Sequence, residues 1–164
     1  MGIFLKNMSL KGKTALITGA TKGIGRGAAE AIAESGGDII AIGRNQSELN
    51  SLEKKIKKLK VKYTSFNCDV NNYDKIKSFI TKLKKLDILV NNAGTNIPEN
   101  FLNVKEASLE TILNVNTKAV FNIAQLCANQ IIKLKRKQGS IINISSIFGL
   151  VAGQKRTVYS MTKF

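Results

Sequence analysis

Short runs of β-branched and aliphatic residues recur along the 164-residue chain, each followed by a stretch with helical spacing. This alternation limits the fold more than any other feature. TALITG (14–19), DIIAIG (38–43), VKYTSFN (61–67), DILVN (87–91) and SIINIS (140–145) read as strands. GIGRGAAEAIAESGG (23–37) follows the first, with Ile24, Ala28, Ala31 and Ile32 spaced as one apolar helix stripe. Asn45, with Glu48 three residues on, reads as the cap of a helix reaching about Lys60, with Leu52, Ile56 and Leu59 on its stripe. A helix through Ile76, Phe79, Ile80 and Leu83 precedes the fourth strand. A long helical stretch spans about Ser108 to Lys137, and a last helix starts near Thr157. Strands and helices in strict alternation predict an α/β domain over 1–164: a doubly wound parallel sheet with helices on both faces.

Composition removes several classes of function. With 43% hydrophobic residues the chain is neither a disordered tail nor a membrane protein, and no apolar run approaches the ~18 residues of a membrane span. MGIFLKNMSLKGK is broken by Lys6 and Asn7 too early for a secretory signal, so a cytoplasmic protein is expected. Cys68 and Cys127 lie far apart in apolar contexts and read as reduced core thiols. The absence of histidine excludes a Ser-His-Asp triad, a Cys-His pair and histidine-ligated zinc, so no metal is expected. An acid or base must then be Tyr, Lys, Asp or Glu. The net charge of +15 raises nucleic acid as a partner. The lysines of EKKIKKLK (53–60), however, fall on the polar side of an amphipathic helix, and KLKRK (133–137) falls at a helix C-terminus, where cations are favoured. Both runs read as solvated faces, so neither nucleic acid nor membrane is expected as a partner.

The first strand runs directly into TGATKGIG, with Gly19, Gly23 and Gly25 at the strand-to-helix turn. Such a turn lets backbone approach a pyrophosphate and aims helix N–H groups at it, as in Rossmann-type dinucleotide folds. TGATKGIG (18–25), NNAG (91–94), NISS (143–146) and YSMTK (159–163) together resemble the short-chain dehydrogenase/reductase family, in its order and at about its intervals. By that resemblance Gly19, Gly23, Ile24 and Gly25 contact the cofactor, Asp69 meets the adenine, and Asn91, Ala93 and Gly94 line the cleft and brace the sheet. The second strand ends AIGRN. A carboxylate there would bind the ribose 2′-hydroxyl of NAD; here Gly43 holds the place and Arg44 follows. A guanidinium can clamp a 2′-phosphate, and Lys22 in the glycine turn can reach the same group. NADP is expected rather than NAD.

Tyr159 and Lys163 share one helix face. A phenol ionises near pH ~10 in isolation. A nearby ammonium favours its phenolate, so the pair can exchange a proton with an alcohol or carbonyl while the cofactor carries hydride. The resemblance implies that Ser146, rather than Ser145, bonds the substrate oxygen. It also implies that Lys163 holds the nicotinamide ribose and that Asn116 binds a water leading from Lys163 to solvent. Asparagine is unfavourable inside a helix, and a water held where the ladder opens would account for Asn116. The expected reaction interconverts a carbonyl and a secondary alcohol. The pocket is expected from loops 95–104 and 147–158, where Gln154, Lys155 and Arg156 suit a small, polar or anionic substrate such as a sugar acid, hydroxy acid or 3-oxoacyl carrier. The alternatives are a dinucleotide-binding fragment without turnover and, more distantly, a basic nucleic-acid-binding protein. The resemblance also implies further strands beyond Phe164 and a homo-oligomeric parent. It leaves the strand at 140–145 as an edge, the Tyr159 helix with barely a turn, and residues 1–164 without useful activity.

Overall fold

The computed structural model describes residues 8–164. The reading of residues 1–7 as no secretory signal lies outside them. Five parallel strands form one sheet in the order β3-β2-β1-β4-β5: β1 Thr14–Thr18, β2 Asp38–Gly43, β3 Tyr63–Asn67, β4 Ile88–Asn91 and β5 Ser140–Asn143. The order reverses between β1 and β4, which leaves a crevice at the carboxyl ends of those two strands. The helices are α1 Gly23–Glu34, α2 Gln46–Ile56, α3 Tyr73–Ile80, α4 Glu106–Leu113, α5 Ala119–Lys133 and α6 Thr157–Lys163. Among the described residues none is long and apolar enough to cross a membrane.

Period-two alternation in the strands divides the core into two layers. Leu16, Ile40, Ile42 and Leu89 face α3 and α5 with Ile76, Ile80, Ile123 and Cys127. Ala15, Ile17, Ile39, Ala41 and Val90 face α1 and α2 with Ala29, Leu49, Leu52 and Ile56. The central strands are apolar on both faces, as a sheet covered on both sides requires. Cys68 and Cys127 are free thiols in the first layer, and burial pushes the Cys127 thiol up to about 12. Caps fix two helix starts: Asn45 accepts from the Glu48 N–H and Asn72 from the Lys75 N–H.

Three expectations change. The stripe Ile24, Ala28, Ala31 and Ile32 is not the buried face of α1. Gly25, Ala29 and Ala33 are buried, Ile32 packs only partly, and Ile24 is 67% exposed. Small residues let α1 lie close on the sheet, and this outweighs the larger area that the isoleucines could bury. The helix capped by Asn45 ends at Ile56, and Leu59 is exposed in a following 3₁₀ turn. Arg136 is not a solvated cation. Its Nε and Nη2 donate to Asp87 Oδ1 at 2.8 and 2.5 Å.

Asp87 is 2% exposed at the start of β4. Its Oδ2 accepts from the Thr14 N–H at 2.9 Å, and Lys13 Nζ lies 3.9 Å from Oδ1. One carboxylate thus joins the start of β1, the start of β4 and the loop after α5. Asp87→Ala should lose about 3 kcal/mol of unfolding free energy, at the low end for a broken buried pair because Arg136 can turn to solvent. Asp87→Asn should lose less, because it still accepts from Thr14. Urea denaturation measures both, and a loss under ~1 kcal/mol for the alanine variant would show that the pair is not structural.

Candidate functional site

The glycine turn is held from the neighbouring strand. Thr18 Oγ1, at the end of β1, accepts from the backbone N–H groups of Asn92 and Ala93, both at 3.0 Å. Asn92 Nδ2 donates back to the carbonyls of Thr18 and Gly19, at 3.0 and 3.1 Å. Gly19 and Gly23 lie in the left-handed region, at φ 63° and 54°. A Cβ on Gly25 would overlap Asn92 Nδ2 and lie 2.5 Å from the Gly19 carbonyl oxygen. Thr18 and Asn92 lie within TGATKGIG and NNAG, but the sequence assigned neither of them a role. NNAG was visible, but which of its amides points at the first strand depends on the β1–β4 pairing. Asn91, at the end of β4, ties that strand to its neighbours: its Nδ2 donates to the Val120 carbonyl and to Asn143 Oδ1, at 3.3 and 3.0 Å.

α1 begins at Gly23 with Lys22 in extended conformation before it and no side-chain cap. Its first N–H groups therefore face outward beside a glycine cradle, and both features fit a pyrophosphate. Lys22 and Ile24 are exposed at this mouth. Arg44 follows β2, 80% exposed, and its Nη1 lies 3.4 Å from Asp69 Oδ2. The residues expected at a 2′-phosphate and at an adenine are thus neighbours. Asp69 also accepts from the Asn71 N–H at 2.9 Å, which fixes the turn after β3.

The second cluster lies around α6. Lys163 Nζ donates to the Ile144 carbonyl at 2.8 Å and sits 5.9 Å from the centre of the Tyr159 ring. Burial lowers the Lys163 pKa from the ordinary lysine value. A Cβ on Gly94 would lie 3.6 Å from Lys163 Nζ and 3.5 Å from Asn116 Oδ1. Gly94 is thus a narrow floor between the strand end and both side chains. Ser146 Oγ accepts from the Phe148 N–H at 3.2 Å and keeps its own proton to donate. Ser145 Oγ instead donates to the Lys163 carbonyl at 2.5 Å and ties down the end of α6. α6 runs seven residues, two turns rather than the single one expected. Among the described residues β5 is an edge strand, as expected.

The helical ladder does open at Asn116: α4 and α5 are joined by a π-helical turn over Asn114–Lys118. Asn116 is 4% exposed, and its amide makes three hydrogen bonds to protein. Oδ1 accepts from the Thr95 N–H at 2.8 Å, while Nδ2 donates to the Thr95 carbonyl at 2.9 Å and to Thr162 Oγ1 at 3.0 Å. Thr162 in turn donates to the Tyr159 carbonyl at 2.8 Å. Thr95 and Thr162 are further residues the sequence did not mark. The loops expected to shape the pocket meet where the Glu99 N–H donates to the Lys155 carbonyl at 3.3 Å. Phe148 packs edge-on against Tyr159, with ring centres 6.3 Å apart, and the Arg156 guanidinium lies 5.9 Å from the Phe148 ring centre.

A family description named short chain dehydrogenase matches residues 13–164. The chain belongs to the short-chain dehydrogenase family. It is 35% identical over 160 residues to the 3-oxoacyl-[acyl-carrier-protein] reductase of Thermotoga maritima, covering 95% of this chain and 64% of that one. To the 2-dehydro-3-deoxy-D-gluconate 5-dehydrogenase of Bacillus subtilis it is 37% identical over 166 residues, covering 99% of this chain and 64% of that one. A solved 7α-hydroxysteroid dehydrogenase, complexed with NADH and 7-oxo glycochenodeoxycholic acid, superposes with TM-score 0.89 at 29% identity over 99% of this chain and 64% of its own. The chain therefore spans under two thirds of the length of these relatives.

Asn92→Ala should cost about 2 kcal/mol, because the Gly19 carbonyl loses its donor and a void opens beside Gly25. Asn92→Asp should cost more, since a carboxylate only accepts and would face two carbonyl oxygens. Thermal unfolding ranks the two. An aspartate variant as stable as the alanine one would show that the amide is not the clamp.

Proposed function

We propose that this chain forms the cofactor-binding and catalytic part of an NADP(H)-dependent oxidoreductase that interconverts a carbonyl and a secondary alcohol. The observation that carries this is the position of Lys163 Nζ. It lies among the Tyr159 ring, the Ile144 carbonyl and Gly94, at the strand ends flanking the same crevice as the glycine turn. In the proposed roles Gly19, Gly23, Gly25 and the open end of α1 hold the pyrophosphate. Asp69 meets the adenine, and Asn91, Ala93 and Gly94 shape the cleft between. Arg44 and Lys22 take the 2′-phosphate. The nicotinamide supplies or accepts hydride.

Tyr159 moves the proton, giving it from its hydroxyl to the carbonyl oxygen in reduction and taking it back from the alcohol in oxidation. The Ser146 hydroxyl hydrogen-bonds the same oxygen and keeps its proton. Lys163 uses one of its three N–H bonds on Ile144, and the others remain for the ribose and for a water. Asn116 Oδ1 keeps one lone pair for such a water, and backbone at the π-helical turn can meet it as well. Asn116 also holds that turn against Thr95 and α6. The chain of contacts Arg156–Phe148–Tyr159 sets a cation one ring away from the proposed acid, which favours a carbonyl substrate with an anionic group. The relatives named for a 3-oxoacyl-carrier and a keto-deoxy sugar acid fit that class. Phe121 and Ile132, exposed on α5, fit the subunit contact of the expected homo-oligomer, and a cytoplasmic setting suits a soluble cofactor.

In a protein that carries the strands expected beyond Phe164, Tyr159→Phe should lower kcat by about 10²- to 10⁴-fold with NADPH-binding affinity within twofold, because only the proton donor is removed. The assay is NADPH oxidation across a panel of anionic carbonyls, beside nicotinamide-fluorescence titration. A phenylalanine variant retaining most of its kcat would exclude Tyr159 as the acid. NADPH binding without turnover in the wild type would leave the chain a dinucleotide-binding fragment. Arg44→Ala should weaken NADPH about 10- to 100-fold, the equivalent of ~1.5–3 kcal/mol of charge-assisted hydrogen bonding, and leave NADH nearly unchanged. Equal losses for both cofactors would remove the 2′-phosphate role.

A further inference from the structure

Gly43 closes β2, buried and outside the left-handed region that would call for glycine. What excludes a side chain there is a neighbour. A Cβ on Gly43 would overlap the Thr21 Cγ2 methyl, with Leu49 Cδ2 at 3.6 Å and Thr21 Cβ at 3.7 Å. Neither backbone can withdraw. The Gly43 carbonyl accepts from the Cys68 N–H at 2.9 Å and is paired in register with Asn67. The glycine turn carrying Thr21 is tied to β2 by the Ala20 N–H to the Ile42 carbonyl, at 3.2 Å, and to β4 by Asn92. Nor does rotation of Thr21 readily clear the space. A β-branched side chain fills two of its three staggered positions, so one χ1 rotamer alone turns hydrogen toward Gly43.

Gly43 occupies the position from which a carboxylate would bind a ribose 2′-hydroxyl. We propose that Thr21 is a specificity-determining residue. Its methyl group fills the room a β2-terminal carboxylate needs, so the ribose subsite stays closed to 2′-hydroxyl recognition and open to a 2′-phosphate. This rests on the NADP(H) reading above and adds exclusion to the attraction supplied by Arg44; a specificity difference can arise from either. Residues 21 and 43 then form one steric unit: an acidic residue at 43 is useful only when 21 is small.

The test is a double-mutant cycle read by stability and by cofactor affinity. Gly43→Ala, which adds only the Cβ, should lower the Tm by about 3–8 °C. Thr21→Ala/Gly43→Ala should recover most of that loss. In fluorescence titration Gly43→Asp alone should gain less than threefold in NADH affinity, and Thr21→Ala/Gly43→Asp at least tenfold. Additive stability changes, or a Gly43→Asp variant that binds NADH as well as the double variant, would overturn the role of Thr21 while leaving the cofactor reading intact. A wild-type chain that binds NADH at least as tightly as NADPH would sink the cofactor reading, and this inference with it.

Discussion

The Asn92 amide is the contact on which the cofactor half of the molecule turns. It bridges the exits of β1 and β4 where the strand order reverses, donating to Thr18 and Gly19 while Thr18 Oγ1 takes the N–H groups of Asn92 and Ala93. A Cβ at Gly25 would meet that amide, so α1 can settle on the sheet only because position 25 is glycine. The opposite end of the same strand pair is fixed by Asp87, through the Thr14 N–H and Arg136. Between the two ends the pairing is apolar, Ala15 with Ile88 and Ile17 with Val90. Apolar contact alone tolerates sliding, whereas polar contacts at both ends set one register. The crevice is thus as well defined as its two clamps.

The second organising feature is the break in the long helix. A π-helical turn leaves backbone groups without their usual partners, and Asn114–Lys118 places that break beside the loop after β4. Asn116 takes both backbone groups of Thr95 there and reaches Thr162 on α6. A residue poor at helix formation therefore stands where three segments meet, and its cost in the helix is offset by three hydrogen bonds in a buried place. Through Thr162 the same contact reaches the Tyr159 carbonyl, so the helix carrying Tyr159 and Lys163 is held by the break and not by apolar packing alone.

Strand positions, parallel pairing and the Asn45 cap were legible in the sequence, because each depends on local period or on contacts within one turn. Gly19, Lys163 and Tyr159 were legible as motifs. The buried face of α1 was not: hydrophobicity ranks Ile24 and Ile32 above Gly25, Ala29 and Ala33, but close approach to a sheet selects for size first. Asn92, Thr18, Thr95 and Thr162 were hidden for another reason. Their partners lie 74 residues away for Asn92 and Thr18, and 46 for Asn116 and Thr162, so only the assembled topology brings them together. Arg136 was read as solvated because its partner Asp87 is 49 residues distant.

The pairing of Arg44 with Asp69 bears on how the proposed 2′-phosphate site would work. The two side chains are 80% and 42% exposed and 3.4 Å apart, so the pair belongs to the class worth about 0–1 kcal/mol. A dianionic phosphate offers the guanidinium charge-assisted hydrogen bonds of about 1.5–3 kcal/mol. Arg44 can therefore exchange one acceptor for the other at little cost, and Asp69 keeps its place throughout through the Asn71 N–H. On the proposed reading the carboxylate holds Arg44 over the mouth of the crevice before binding and is released to face the adenine afterwards. A neutral residue at 69 would leave Arg44 free to range over solvent, and more side-chain entropy would then be lost on capture of the phosphate. The same carboxylate that holds Arg44 over the mouth also competes with the phosphate, and because the pair is weak, that competition costs at most about 1 kcal/mol of binding.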